Sequence, residues 1–212
     1  MVSSNQKINK EYKMDSNIIV WVGIIGLVLF VANMFNRLVS LRNRHKNAFS
    51  QIDVQLQRRY DLIPNLVETV KGYAKHERET LEAVISARNE AQAVLKALQS
   101  QNGKGDSQQF DVSALNGAED MLGGMMSKLF ALSESYPDLK ADTQFQQLME
   151  ELSSTENRIS YARQAFNDAV MQYNTYREQF PSNLIANNFS FKEANLLMFK
   201  NKEIQQPVKV NF

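Results

Sequence analysis

The run IIVWVGIIGLVLFVANMF, Ile18 to Phe35, constrains this chain more than any other feature, because it is 18 residues long and carries no charge. As a helix it reaches about 27 Å at 1.5 Å per residue, close to the roughly 30 Å hydrocarbon core of a bilayer. Twelve of its residues are Leu, Ile, Val or Phe. Each favours insertion by roughly 0.3–0.6 kcal/mol near a helix centre, and together they outweigh Gly23, Gly26 and the near-terminal Asn33. A core helix of a soluble protein seldom excludes charge for so long. A cleaved signal peptide fits poorly too, since Asn36-Arg37-Leu38-Val39 follows where a small-residue cleavage site would stand. The expectation is a single membrane-spanning helix over 17–36, preceded by a flank over 1–16, with Ile18, Trp21, Ile25, Leu29, Phe30 and Phe35 against membrane lipid.

Orientation follows from flanking cations. Counted from Met1, Lys7, Lys10 and Lys13 lead the span while Arg37, Arg42, Arg44 and Lys46 trail it, which is close to a tie under the positive-inside rule. If translation starts at Met14, the leading flank has no Lys or Arg, and the domain after the span belongs in the cytoplasm. The location expected is therefore a membrane, crossed once, with a cytoplasmic domain.

The remaining residues, about 175 of them, make one domain. Lys plus Arg number 24 against 23 for Asp plus Glu, so there is no basic field to attract nucleic acid. The chain has no cysteine, hence no thiolate nucleophile, disulfide or sulfur-based zinc site. Scarce Gly and Pro favour long helices over a sheet rich in turns.

Apolar positions bear this out. His45, Phe49, Ile52, Leu56 and Ile63 line one helical face, broken at its last step. Pro64 then either lies in the first turn of a new helix capped by Asp61 or kinks a helix that carries on. A second stripe runs Leu66, Val70, Tyr73, Glu77, Leu81, Val84, Arg88, Ala91, Leu95 and Leu98, and ends in the polar loop QSQNGKGDSQQF. A third follows Ala118, Leu122, Met125, Leu129 and Leu132, with Gly123-Gly124 expected to permit close helix approach. The fourth keeps heptad spacing through Phe145, Leu148, Leu152, Thr155, Ile159, Ala162, Phe166, Ala169, Tyr173, Tyr176 and Phe180, before Pro181. Such stripes must bury against one another or against sister chains. The expected fold is all-α, with the span followed by a four-helix up-and-down bundle of long, coiled-coil-like helices over 37–181 and a short helix and extended tail over 182–212.

Three strings in this bundle, RRYDLIPNLVETVKGYAKHE (Arg58 to Glu77), SYPDLKA (Ser135 to Ala141) and TENRISYARQAFNDAVMQYNTYREQFP (Thr155 to Pro181), closely resemble the LemA family. With the anchor, the resemblance covers nearly everything from Asn17 to Phe191. It implies a bacterial protein with a four-helix bundle on one N-terminal span, envelope-associated, in some members together with a membrane metalloprotease of the HtpX type. It brings no catalytic residues. The chain departs from the family in carrying Phe166 where Tyr is usual, which removes a hydroxyl.

No cofactor or metal motif is found. His76 lacks the second histidine that zinc peptidase spacing needs, no His stands three residues after a Glu as di-iron bundles require, and phosphate-cradling glycine strings and nucleophile elbows are absent. The polar residues of the matched strings draw more interest: Arg58, Arg59, Asp61 and Asn65 near the proline, and Glu156, Asn157, Arg158, Arg163, Asn167 and Asn174 on the fourth helix. Solvated helix pairing would account for them at about 0.3–0.5 kcal/mol per pair. Asn157, Arg158 and Asn167 abut the apolar stripe, however, where a buried polar group must be bonded, so a role in fixing register or meeting a partner weighs equally. Phe189, Phe191, Leu196 and Phe199 either rest at the membrane interface or cover the end of the bundle. Should the chain turn back at Asp61 to Pro64, the tail returns to the bilayer; should the helix continue, the tail ends far from it.

These features favour a non-enzymatic scaffold that self-associates as a homo-oligomer and gathers envelope partners, a membrane protease among them. The alternatives are a lipid- or substrate-binding receptor, or an enzyme subunit with Glu77, Arg88, Glu156 and Arg163 as its nominees.

Overall fold

The structure, a computed structural model, describes residues 2–102 and 112–197, with side chains over 17–100 and 112–197. The polar loop residues 103–111, Phe199 and the rest of the tail thus lie outside the described residues. Among the described residues six helices follow in order: α1 (Val2–Tyr73), α2 (Arg78–Asn102), α3 (Ser113–Glu134), α4 (Pro137–Ala141), α5 (Thr143–Glu178) and α6 (Ser182–Asn188). No strand occurs among the described residues.

Helix α1 carries both the apolar run and the first bundle helix. Over the apolar run its side chains are open, with Ile18 54%, Trp21 64%, Ile25 56%, Leu29 64% and Phe30 53% exposed. A core helix of a soluble protein would hide them. From Leu38 onward the same helix turns a buried stripe inward: Leu38, Phe49, Ile52, Leu56, Tyr60, Ile63, Leu66 and Val70. It runs unbroken through Pro64 and ends at Tyr73. Of the two readings of the proline, the continuing helix is the one observed, and Asp61 caps nothing.

The chain turns back later, at Ala74 to Glu77, where Ala74 N–H bonds the Val70 carbonyl at 2.8 Å and Glu77 N–H the Ala74 carbonyl at 3.1 Å. The stripe from Leu66 to Leu98 is therefore shared by two helices. Its spacing survives because the inward positions lie on both sides of a tight reversal, so periodicity alone could not reveal the turn. Helix α2 returns beside α1, with Gln99 reaching Asp53 and Arg88 reaching Tyr60. Helix α3 packs mainly on α2. Helix α5 then descends the length of α1, as the pairs Tyr73 with Asp142, Arg58 with Glu151 and Arg44 with Gln172 record.

Four long passes enclose one apolar core, to which α5 contributes Phe145, Leu152, Ile159, Phe166 and Val170. Since the turn moves to Ala74–Glu77, a continuous α1 still leaves α5 ending beside the span. The expectation that a continuing helix carries the tail away from the membrane is thus corrected. Two packing details differ as well. Phe180, placed on the α5 stripe by its spacing, is 80% exposed. Gly123 and Gly124 allow no close approach, because a methyl at either would meet nothing within 4 Å.

Candidate functional site

Between Leu56 and Ile63, where the stripe read from sequence is broken, α1 buries Arg59 and Tyr60. Across from them α3 places Glu119 on its inner face, in the column Leu115, Leu122, Met126 and Leu129. Arg59 Nη1 donates to Glu119 Oε2 at 2.9 Å and pairs with Glu156 Oε2 at 3.2 Å; the Tyr60 hydroxyl donates to Glu119 Oε1. Arg163 on α5 brings Nη2 to 3.8 Å from Glu119 Oε2. One carboxylate, 2% exposed, thereby ties α1, α3 and α5 together. Burial first, then the charge and hydrogen bond of Glu119, push the Tyr60 phenol well above its usual range, so it remains a donor. Burial also lowers Arg163, against the pull of Glu119 and Glu156.

The same place explains how α1 crosses Pro64. A proline cannot donate to the carbonyl four residues back, which here is that of Tyr60. Arg88 Nε from α2 donates to that carbonyl instead, at 2.9 Å. The side chain of Arg88 is 17% exposed and stands 3.9 Å from Asp61 Oδ1. An acceptor left orphaned by the proline is thus satisfied from a neighbouring helix.

Towards the span, the segment after α6 is laced to α5 through its backbone. Asn167 gives its amide to Leu197 O at 3.0 Å and accepts from Leu197 N–H at 2.9 Å. Asn174 does the same with Ala194, at 2.8 and 3.0 Å. The repeat is geometric: seven helical residues advance about 10.5 Å, and three extended residues about 10 Å. The Tyr173 hydroxyl donates to Lys192 O at 2.8 Å and Arg177 Nε to Phe191 O at 2.9 Å. Beneath this clasp Met34, Leu38, Tyr173, Ile185, Ala186 and Phe191 form a second apolar cluster. His45 lies between Tyr173 and Phe166, with ring centroids 5.1 and 6.4 Å away. Burial first, then Lys46 and Arg42, hold its imidazole down at about 4.

At the opposite end Asp142 caps α5 by accepting from Phe145 N–H at 2.8 Å, and Tyr73 donates to its other oxygen at 2.7 Å. Both hydrogen bonds favour the carboxylate and keep Asp142 below its ordinary value. Beside the α1–α2 turn opens a cleft of about 730 Å³, floored by Val67, Ala74, Leu81 and Ile85 and edged by Lys71, Lys75 and Arg78.

The residues singled out from sequence divide accordingly. Arg59 and Arg163 converge on Glu119 and Glu156 pairs with Arg59, whereas Arg88 reaches the Tyr60 carbonyl and Glu77 sits in the distal turn. Asn167 and Asn174 bind the chain's own tail. Arg58 pairs with Glu151 at 2.9 Å on the surface, and Asp61 accepts from Gln57 at 3.0 Å. Asn65 is exposed and its carbonyl accepts from Thr69 at 2.9 Å. Asn157 and Arg158, expected beside the buried stripe, face solvent. In the tail Phe191 is buried, Phe189 is 59% and Leu196 40% exposed. Glu119 and Tyr60 went unnoticed in the sequence. The signal for both was present: an acid standing in the inner column of α3, and a gap in an otherwise regular α1 stripe.

Among the described residues, one exposed apolar helix long enough to cross a membrane runs without a break into an antiparallel helical bundle. Residues 48–212 match the LemA family, and the chain belongs to that family. It is 26% identical over 194 residues to the magnetosome protein MamQ 2 of Paramagnetospirillum magneticum, covering 84% of this chain and 71% of that one. It is 25% identical over 187 residues to the magnetosome protein MamQ of Magnetospirillum gryphiswaldense, covering 82% and 69%. To the protein LemA of Metamycoplasma hominis it is 25% identical over 190 residues, covering 89% and 80%.

Proposed function

We propose that this protein is a membrane-anchored, non-enzymatic scaffold of the bacterial cytoplasmic membrane, with its bundle in the cytoplasm, that self-associates and organises envelope partners, a membrane metalloprotease among them. The observation that carries this reading is α1 itself, one helix from an apolar span to the far end of the bundle. A continuous helix transmits position and orientation, and its stretch from 37 to 73 projects about 55 Å at 1.5 Å per residue. The charged groups best placed for chemistry are engaged with one another around Glu119, which suits a structural role. One chain already buries its own stripes. Sister chains would accordingly meet through the span and the outer faces of the bundle. Crosslinking in native membranes followed by mass spectrometry tests the reading. Self-links and links to envelope proteins are expected, and a chain that links to neither overturns it.

The distal cleft favours a second reading, a receptor for a small substrate, since its size falls within the range of small-molecule sites. Its distance from the span points to a ligand from water rather than from the bilayer. Native mass spectrometry of the purified chain would reveal such a ligand as added mass, absent after substitution Leu81→Lys.

A further inference from the structure

The end of the span is not bare. Phe35, its last apolar residue, packs edge to face on Phe189 at 5.1 Å and on Phe191 at 5.6 Å. Ile185 of α6 joins Met34 and Leu38 in one cluster. Helix α6 therefore lies level with residues 34–38, within about 6 Å of the end of the apolar run along the helix axis. Its inner side, Ser182, Ile185 and Ala186, is fully used against α1 and α5. On its outer side Leu184 is 55% exposed, and the flanking Phe180 and Phe189 are 80% and 59% exposed. More than half of each of these three side chains is open to the surroundings.

We propose that α6 with Phe180, Leu184 and Phe189 is a second membrane contact, inserted at the boundary between headgroups and acyl chains of the leaflet in which the span ends. The proposal rests on the reading that residues 17–36 cross the membrane. Depth selects lipid as the occupant: if Phe35 ends in hydrocarbon, the ring touching it cannot stand in bulk water. Charge agrees. Between 34 and 48 the sequence holds Arg37, Arg42, Arg44 and Lys46 and no acid, while between 176 and 197 Arg177 and Lys192 balance Glu178 and Glu193, so the two segments together are net positive. Arg37 lies over the Tyr176 ring at 4.8 Å and Arg42 over Phe191 at 5.0 Å, an arrangement of aromatic and cationic groups suited to a headgroup layer. A short apolar wedge held at a fixed depth beside a span would restrain tilt and rotation of the rod above it.

The single tryptophan makes the test direct. In a Trp21→Phe background, Leu184→Trp and Phe189→Trp are introduced separately, and each full chain is placed in phosphatidylcholine–phosphatidylglycerol vesicles brominated near the top of the acyl chains. Both reporters are expected to lose fluorescence to the brominated lipid, emit to the blue and escape iodide. Tyr161→Trp, at a position 74% exposed on α5, should behave oppositely. Quenching by iodide without quenching by lipid overturns the proposal, and so does shielding from both, which would mean cover by a second copy or another protein. The unaltered chain separates the two levels, because Trp21 lies about 4.5 Å inside the other end of the apolar run: Trp21 quenched by the same lipid, brominated near the top of the acyl chains, while positions 184 and 189 are not would leave the span and remove only this contact, whereas an unquenched Trp21 would remove both.

Discussion

Replacing Arg88 with Met should expose how α1 survives its proline. Met keeps much of the aliphatic stem of Arg88 but removes the Nε–H that satisfies the Tyr60 carbonyl. An orphaned buried acceptor costs about 1–3 kcal/mol, and the partial exposure of this site favours the lower half, about 1.5 kcal/mol. In a Pro64→Ala chain the helix supplies the missing N–H from residue 64 itself, so the same Arg88→Met change should then cost about 0.5 kcal/mol. The cycle thus predicts a coupling of about 1 kcal/mol between positions that differ in chain location by a whole helix turn-around. For a chain of this length 1 kcal/mol moves Tm by roughly 2–4 °C. Thermal melts of the four full-length chains in mild detergent, followed by far-ultraviolet circular dichroism, measure it. Equal losses from Arg88→Met in both backgrounds would refute the compensation.

Four further expectations follow from the same geometry. Glu119→Gln leaves Arg59 facing a neutral amide in a buried site, with the half-exposed Glu156 still paired to it, and should destabilise by about 2 kcal/mol; Arg158→Leu, on the solvent side, should leave the melting temperature and oligomer size unchanged. Because the fold holds His45 near 4, below the ordinary 6.5, the unfolded chain binds its proton first and stability falls as pH drops from about 6.5 to about 4. Discounted for partial exposure the loss is about 2 kcal/mol, and pH-dependent melts of His45→Phe should lack it. Gly124→Ala, in a helical position with open space around its Cβ, should raise stability by about 1 kcal/mol, with a higher melting temperature as the readout.

Much of the fold was legible because periodicity and charge exclusion are local properties of the chain. The span needed only eighteen uncharged residues, and α5 only its heptads. The proline was harder: Pro64 signals a break, and what cancels the break is Arg88, 24 residues away and on another helix, which no local pattern links to it. The turn at Ala74–Glu77 was hidden by the opposite cause, since the inward spacing continues across it. Asn167 and Asn174 stood out as polar residues beside an apolar stripe, yet their partners are backbone atoms of the tail, and backbone carries no sequence signature. Glu119 was passed over because Met125 and Leu132 suggested a stripe one residue off the buried column of Leu115, Leu122, Met126 and Leu129.

The continuity of anchor and bundle can be measured as a distance. With no native cysteine in the chain, spin labels attached through Asn36→Cys and Val54→Cys, two exposed positions five turns apart on one face of α1, report on the crossing from membrane to bundle without background. In lipid vesicles, diluted with unlabelled chain, pulsed electron resonance should give one narrow distribution centred at about 27 Å, the length of eighteen helical residues. A broad distribution, or one centred well short of that length, would mean a hinge between anchor and bundle and would contradict a rigid membrane-anchored scaffold.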